Sequence, residues 1–335
     1  MNNQSKKLLT VTASPHIKSF IKTHHIMSDV ILALLPALVW AVYLYGLRAL
    51  TISAISVCSC VIFEYLYRKI MKKSFSLGDL SAVVTGLLLA FSLPVSVPLW
   101  IPVLGSFFAI VVAKQLYGGM GKNVVNPALA GRVFLFFTYS DELCAYTVPG
   151  QKLSPFKISV ADEINEIIAG ATPLETLKSG VTTEYDTVST LIGNLPGCIG
   201  EVSATLLLLT GIYLIIRRVI TWHIPVTYIT TVALISFAFP LGGADRFEFM
   251  CLQLFSGALM LGAFFMATDY VTSPVTSLGR IIYGIGCGLI TIFIRYFGAF
   301  PEGVSFAILI MNLFVWYLDK ATKSRVFGGV RKNEK

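Results

Sequence analysis

The sequence predicts an all-α integral membrane protein of about ten transmembrane helices, arranged as two inverted five-helix halves. Three observations predict it. Charged residues make up only 13% of the 335 residues, against about 25% in soluble domains, and the mean hydropathy is +0.76. Ten runs approach the roughly 20 apolar residues that a spanning helix needs. A polar interval divides those runs five and five, and an odd number on each side forces any structural repeat between the halves to be inverted across the membrane.

The elements follow in order. Residues 1–26 are polar and carry Lys6, Lys7, Lys18 and Lys22 with no short apolar core before a small-residue cleavage site, so a cytoplasmic segment without a removable signal is expected. The first half, 27–139, holds runs at 30–47, 49–66, 79–95, 98–115 and 126–139, the last being short for a span. A loop over 140–196 follows. The second half, 197–319, holds runs at 197–217, 222–240, 249–267, 280–297 and 302–319, and a basic tail closes the chain at 320–335.

Orientation follows from the basic residues, which are retained on the cytoplasmic side near span ends. Ten spans put both termini on one side, and that side collects 20 of the 26 Lys and Arg, among them Arg68, Lys114, Lys122, Arg132, Arg217, Arg280 and Lys320. Arg48, Lys152, Lys157, Lys178, Arg246 and Arg295 fall opposite, beside a central loop holding eight Asp and Glu from Asp141 to Asp186. The loop is therefore expected outside the cytoplasm. The net charge of +8 is accounted for by topology and calls for no nucleic acid.

Within this frame, Lys114-Gln115-Leu116-Tyr117-Gly118 and Arg295-Tyr296-Phe297-Gly298 each end a run and precede another, on opposite sides, as an inverted repeat requires. The six cysteines lie mostly in apolar runs, and Cys58 and Cys60 are spaced for different helix faces, which favours structural roles over metal or iron–sulfur ligation. His16, His24, His25 and His223 include no i, i+4 pair and suggest no zinc or haem site. Glu64 is one turn from Arg68 and can pair with it, while Asp29, Asp79, Glu201, Asp269 and Glu302 fall at span ends, where solvation explains them.

Four motifs follow in order along the chain: Gly121-Lys122-Asn123-Val124-Val125-Asn126-Pro127-Ala128, Ala169-Gly170-Ala171-Thr172-Pro173-Leu174, the segment Phe265 to Pro274, and the segment Pro301 to Leu309. Together they resemble the D-subunit family of Rnf electron transport complexes, which is related to the B-subunit family of the sodium-translocating NADH:quinone reductase. The resemblance implies a multi-pass inner-membrane flavoprotein in an ion-pumping complex that couples ferredoxin:NAD oxidoreduction to sodium or proton transport. It implies FMN joined through its phosphate to Thr172, with Gly170 and Ala171 giving a flavin transferase access to the backbone, and Pro173 holding the segment out of a helix. Ala169 and Glu166 depart from the usual residues of that motif. A non-covalent riboflavin is implied at Asn123 and Asn126, whose carboxamides both donate and accept and so suit the pyrimidine edge of a flavin. Asn126 before Pro127 also reads as a helix cap. Asp269, flanked by Thr268 and Thr272, is a candidate for the ion path. The implied partners are the other complex subunits, including a second flavinylated subunit and iron–sulfur subunits, together with membrane lipid. Two other classes share the hydropathy pattern: a small-solute channel such as the urea channels, which would carry no cofactor and tolerate Thr172→Ala, and a structural anchor for redox partners.

Overall fold

The computed structural model describes residues 22–73, 77–151, 153–156, 174, 176, 178, 187–193, 195–201, 203–241, 245–298 and 302–323. Among them the chain is helical and has no strand, only an isolated bridge between Pro94 and Cys198. The expected attachment motif, Gly170, Ala171 and Thr172, lies outside the described residues.

The first half contains α1 (Thr23–Tyr45), α2 (Leu47–Ile70), α3 (Ser81–Phe91), α4 (Ile101–Phe107, continuing as a π-helix over Phe108–Gln115) and α5 (Pro127–Thr138). Short helices α6 (Ser140–Cys144) and α7 (Thr187–Ile192) lie in the central interval. The second half contains α8 (Ala204–Ile216), α9 (His223–Ala238), α10 (Arg246–Phe255), α11 (Leu259–Leu261, continuing as a π-helix over Gly262–Met266), α12 (Ser277–Phe297) and α13 (Val304–Ala321). Each of the ten predicted runs therefore holds a helix. Four of them, α1, α2, α12 and α13, are long and apolar enough to cross a membrane, and the pair α10 and α11 is bent by 60°. This makes the chain a multi-pass membrane protein.

Two runs expected as continuous helices are broken instead. The run over 79–95 yields only the 11 residues of α3, followed by irregular chain, and the run over 249–267 breaks between Phe255 and Leu259. Broken helices leave carbonyls that lipid cannot satisfy. A fully buried arginine meets this demand after α3: Arg48 donates from Nε to Val95 O (2.9 Å), from Nη2 to Val97 O (3.0 Å) and from Nη1 to Ser154 O (2.8 Å). At the second break Gly257 takes φ 71°, and Arg295 of α12 donates to Gln253 O (2.6 Å), Gln253 Oε1 (2.9 Å) and Ser256 O (3.3 Å).

Packing explains why α3 can be so short. Almost every residue of α3 is buried, so it sits inside the bundle rather than against lipid. It approaches α2 closely enough that a Cβ at Gly86 would lie 2.7 Å from Val57 Cα. The longer helices keep an apolar outer face for lipid, including Val39, Ile62, Phe293 and Trp316.

Candidate functional site

A cavity of about 300 Å³ opens where the N-terminus of α1, the start of α3, the end of α4, the start of α5 and the end of α11 converge. Asn123 and Asn126 line it together with Thr268 and Asp269, although at least 142 residues separate the two motifs. Its walls are largely apolar, with Val84, Leu88, Phe264 and Phe265 among them.

Asn126 is positioned by its own cap. With φ −62° and ψ 121° it precedes Pro127, and its Oδ1 accepts from Ala128 N (3.0 Å) and Leu129 N (3.4 Å). Its Nδ2 donates to Met266 O (3.1 Å), at the C-terminal end of the π-helix that follows α11. Most of this carboxamide is thus engaged in joining the end of one broken element to the start of α5. Asn312 of α13 completes the junction, accepting from Asn126 N (3.1 Å) and donating to Thr272 O (3.0 Å) when its carboxamide is oriented to suit these neighbours. Asn123 donates to Val125 O (3.2 Å) and hydrogen-bonds Asp269, which leaves its carbonyl oxygen for a ligand.

The acidic side of the cavity is held in the same way. Thr268 Oγ1 donates to Phe264 O (2.6 Å), and Thr272 Oγ1 donates to Asp269 Oδ2 (3.1 Å). Thr272 is 2% exposed and supports Asp269 from behind without lining the cavity. Burial raises the Asp269 carboxyl above its ordinary range, against hydrogen bonds from Thr272, the Val271 backbone and Asn123 that lower it.

Lys114 is the cavity residue that sequence reading misses. Its position groups it with cytoplasmic loop residues, yet it lies in the final turn of the π-helix after α4 and is 3% exposed. Its Nζ donates to Glu64 Oε2 (2.9 Å) and Ser81 Oγ (2.7 Å), and it also lines the cavity. Glu64 is fully buried: it pairs with Arg68 at 3.4 Å as its spacing predicts, but its closer partners are Lys114 and Gln115 Nε2 (2.9 Å). The available signal was position, since Lys114 falls inside the predicted run 98–115, where an unpaired cation is costly.

Other span-end carboxylates divide. Asp29 pairs with the exposed Arg217 at 3.2 Å, and Asp79 accepts from Ser81 N (3.0 Å). Glu302, in contrast, is not left to solvent, because it forms an ion pair with Arg132, a residue buried midway along α5. Arg132 is therefore an interior group and not part of a cytoplasmic loop.

These observations define what ligand chemistry the cavity can meet. The cavity offers apolar faces for a planar ring, and Asn123, Lys114, Asp269 and Thr268 supply donors and acceptors at its edge. A family model described as the NQR2, RnfD, RnfE family matches residues 10–328. The chain is 47% identical to the D subunit of the Na(+)-translocating ferredoxin:NAD(+) oxidoreductase complex of Acetobacterium woodii, over 96% of this chain and 95% of the relative. It is 37% identical to the D subunit of the proton-translocating ferredoxin:NAD(+) oxidoreductase complex of Clostridium ljungdahlii, over 96% and 97%. It is 36% identical to the D subunit of the ion-translocating oxidoreductase complex of Aliivibrio salmonicida, over 95% and 98%.

Proposed function

The chain belongs to the NQR2, RnfD, RnfE family, and from that premise we propose that it is the D-type subunit of an ion-translocating ferredoxin:NAD oxidoreductase complex, carrying flavin as a membrane electron relay. It is a subunit of an oxidoreductase and not a free-standing enzyme. Its partners are the other subunits of that complex, and it sits in the cytoplasmic membrane with both termini inside and the central loop outside.

The observation that carries this reading is the convergence of Asn123 and Asn126 with Thr268 and Asp269 on one cavity of about 300 Å³. Asn126 shapes the wall, while Asn123, Lys114 and Thr268 hold and orient a non-covalent riboflavin; the flavin supplies one- and two-electron chemistry when bound. The second flavin is FMN on Thr172, attached by a flavin transferase. Leu174, two residues further along, is buried against Gly257 at the bend between α10 and α11.

The two halves are inverted repeats of five spans. Support comes from two cations at the ends of equivalent helices: Lys114 reaches Ser81 Oγ at the start of α3, and Arg295 reaches Ser256 O just before α11. Asp269, with Thr268 and Thr272 beside it, belongs to the path of the coupling ion, sodium or proton.

Flavin content of the intact complex tests the cavity. Wild-type complex is expected to release riboflavin on denaturation, and Asn123→Leu to lose most of it while retaining covalent FMN. Equal riboflavin release from the two proteins would refute the assignment.

A further inference from the structure

A second polar centre lies away from the flavin cavity, between the segment 195–201, the start of α13 and the middle of α5. Carboxylate oxygens of Glu201 and Glu302 and the thiol of Cys198 lie within 4.8 Å of one another. Glu302 is saturated with donors: Arg132 Nη2 pairs with Oε2, Tyr146 Oη donates to Oε1 (3.1 Å), and Cys198 Sγ approaches Oε1 at 3.9 Å. Arg132 Nη2 also lies 3.8 Å from Cys198 Sγ, so a guanidinium already occupies the place where a metal cation would bridge these ligands.

Glu201 is differently placed. Its carboxylate lies within 4.8 Å of that of Glu302, and its buried Oε1 has no partner among the described residues. The Arg132 side chain is 6% exposed, and its Nη1 likewise has none. Two cavities of about 10 Å³, each room for one water, flank the pair: one beside Glu201, Ser256 and Gly257, the other beside Arg132 and Phe306. The groups facing the pair from the surrounding elements are Arg132, Arg295, Tyr45, Tyr146 and Cys198. Arg295 is engaged with the carbonyls of Gln253 and Ser256, and Arg132 is ion-paired with Glu302.

We propose that Glu201 and Glu302 form a buried proton-binding site, in which Glu302 is the carboxylate paired with Arg132 and Glu201 carries an exchangeable proton donated to Glu302. Glu302 is held charged by Arg132 and receives the Tyr146 hydroxyl, whereas Glu201 Oε1 has no donor, so of the two neighbouring carboxyls Glu201 is the one that takes up a proton. The cavity beside Glu201 leaves room for one water at its carboxyl. This site stands independently of the flavin assignment.

Infrared spectroscopy of the full chain in detergent tests it. At neutral pH the wild type should show the carbonyl band of a protonated carboxylic acid that shifts in D₂O. The band should be lost in Glu201→Gln, which keeps the shape and hydrogen bond of the neutral acid, and unchanged in Glu248→Gln at an exposed position. Glu201→Asp, a second variant that keeps the acid, should retain a displaced band. Absence of the band in wild type, or its persistence in Glu201→Gln, overturns the proposal. Loss of the wild-type band on adding sodium at fixed pH also overturns it, by making the pair a cation site.

Discussion

Lys114 shows how charge is kept inside this bundle at the scale of single residues. Its ammonium is buried and donates to Glu64 and Ser81, while Gln115 donates to the other oxygen of Glu64. Breaking a buried pair by removing one partner costs about 3–5 kcal/mol, because the other charge is stranded. Glu64→Ala is therefore expected to lower the thermal unfolding midpoint in detergent sharply. Asp29→Ala, which frees only the exposed Arg217, should cost at most about 1 kcal/mol in the same assay. Asn126→Ala has a compound effect: the lost cap costs about 0.5–2 kcal/mol, and the Met266 carbonyl loses its partner. Asn126 was legible in the sequence as a cap, since Asn before Pro states it directly. Lys114 and Arg132 were not, because a basic residue near the end of an apolar run looks the same whether it faces the cytoplasm or turns inward to a carboxylate 50 or more residues away.

Helix existence was legible at the scale of elements, and helix continuity was not. Hydropathy marks 79–95 and 249–267 as apolar, but it cannot tell a helix in lipid from a half-helix whose broken end is satisfied by protein. The compensating groups are Arg48 and Arg295, remote in sequence from the carbonyls they serve. Arg48→Met should orphan buried carbonyls at about 1–3 kcal/mol each, and limited proteolysis should then reach the 92–100 segment faster than in wild type. The close approach of α3 to α2 gives a sterically cleaner case. Gly86→Ala drives a methyl onto the Val57 backbone and should cost about 1–3 kcal/mol. Gly78→Ala, where nothing lies within 4 Å of the added carbon, should leave the unfolding midpoint unchanged.

The fold at the scale of the whole molecule brings distant motifs to one place. The Asn123–Asn126 motif precedes α5 and the Thr268–Asp269 motif follows α11, yet both face the cavity because Asn126 bonds the Met266 carbonyl. The proposed electron relay requires flavin, and the proposal of covalent FMN on Thr172 is what separates a relay from a solute channel of similar architecture. In-gel flavin fluorescence after denaturing electrophoresis, on wild type and Thr172→Ala each coexpressed with a flavin transferase, tests it most directly. A fluorescent wild-type band that is dark in Thr172→Ala is the predicted result. A dark wild-type band, with the transferase active on a control substrate, would contradict the relay.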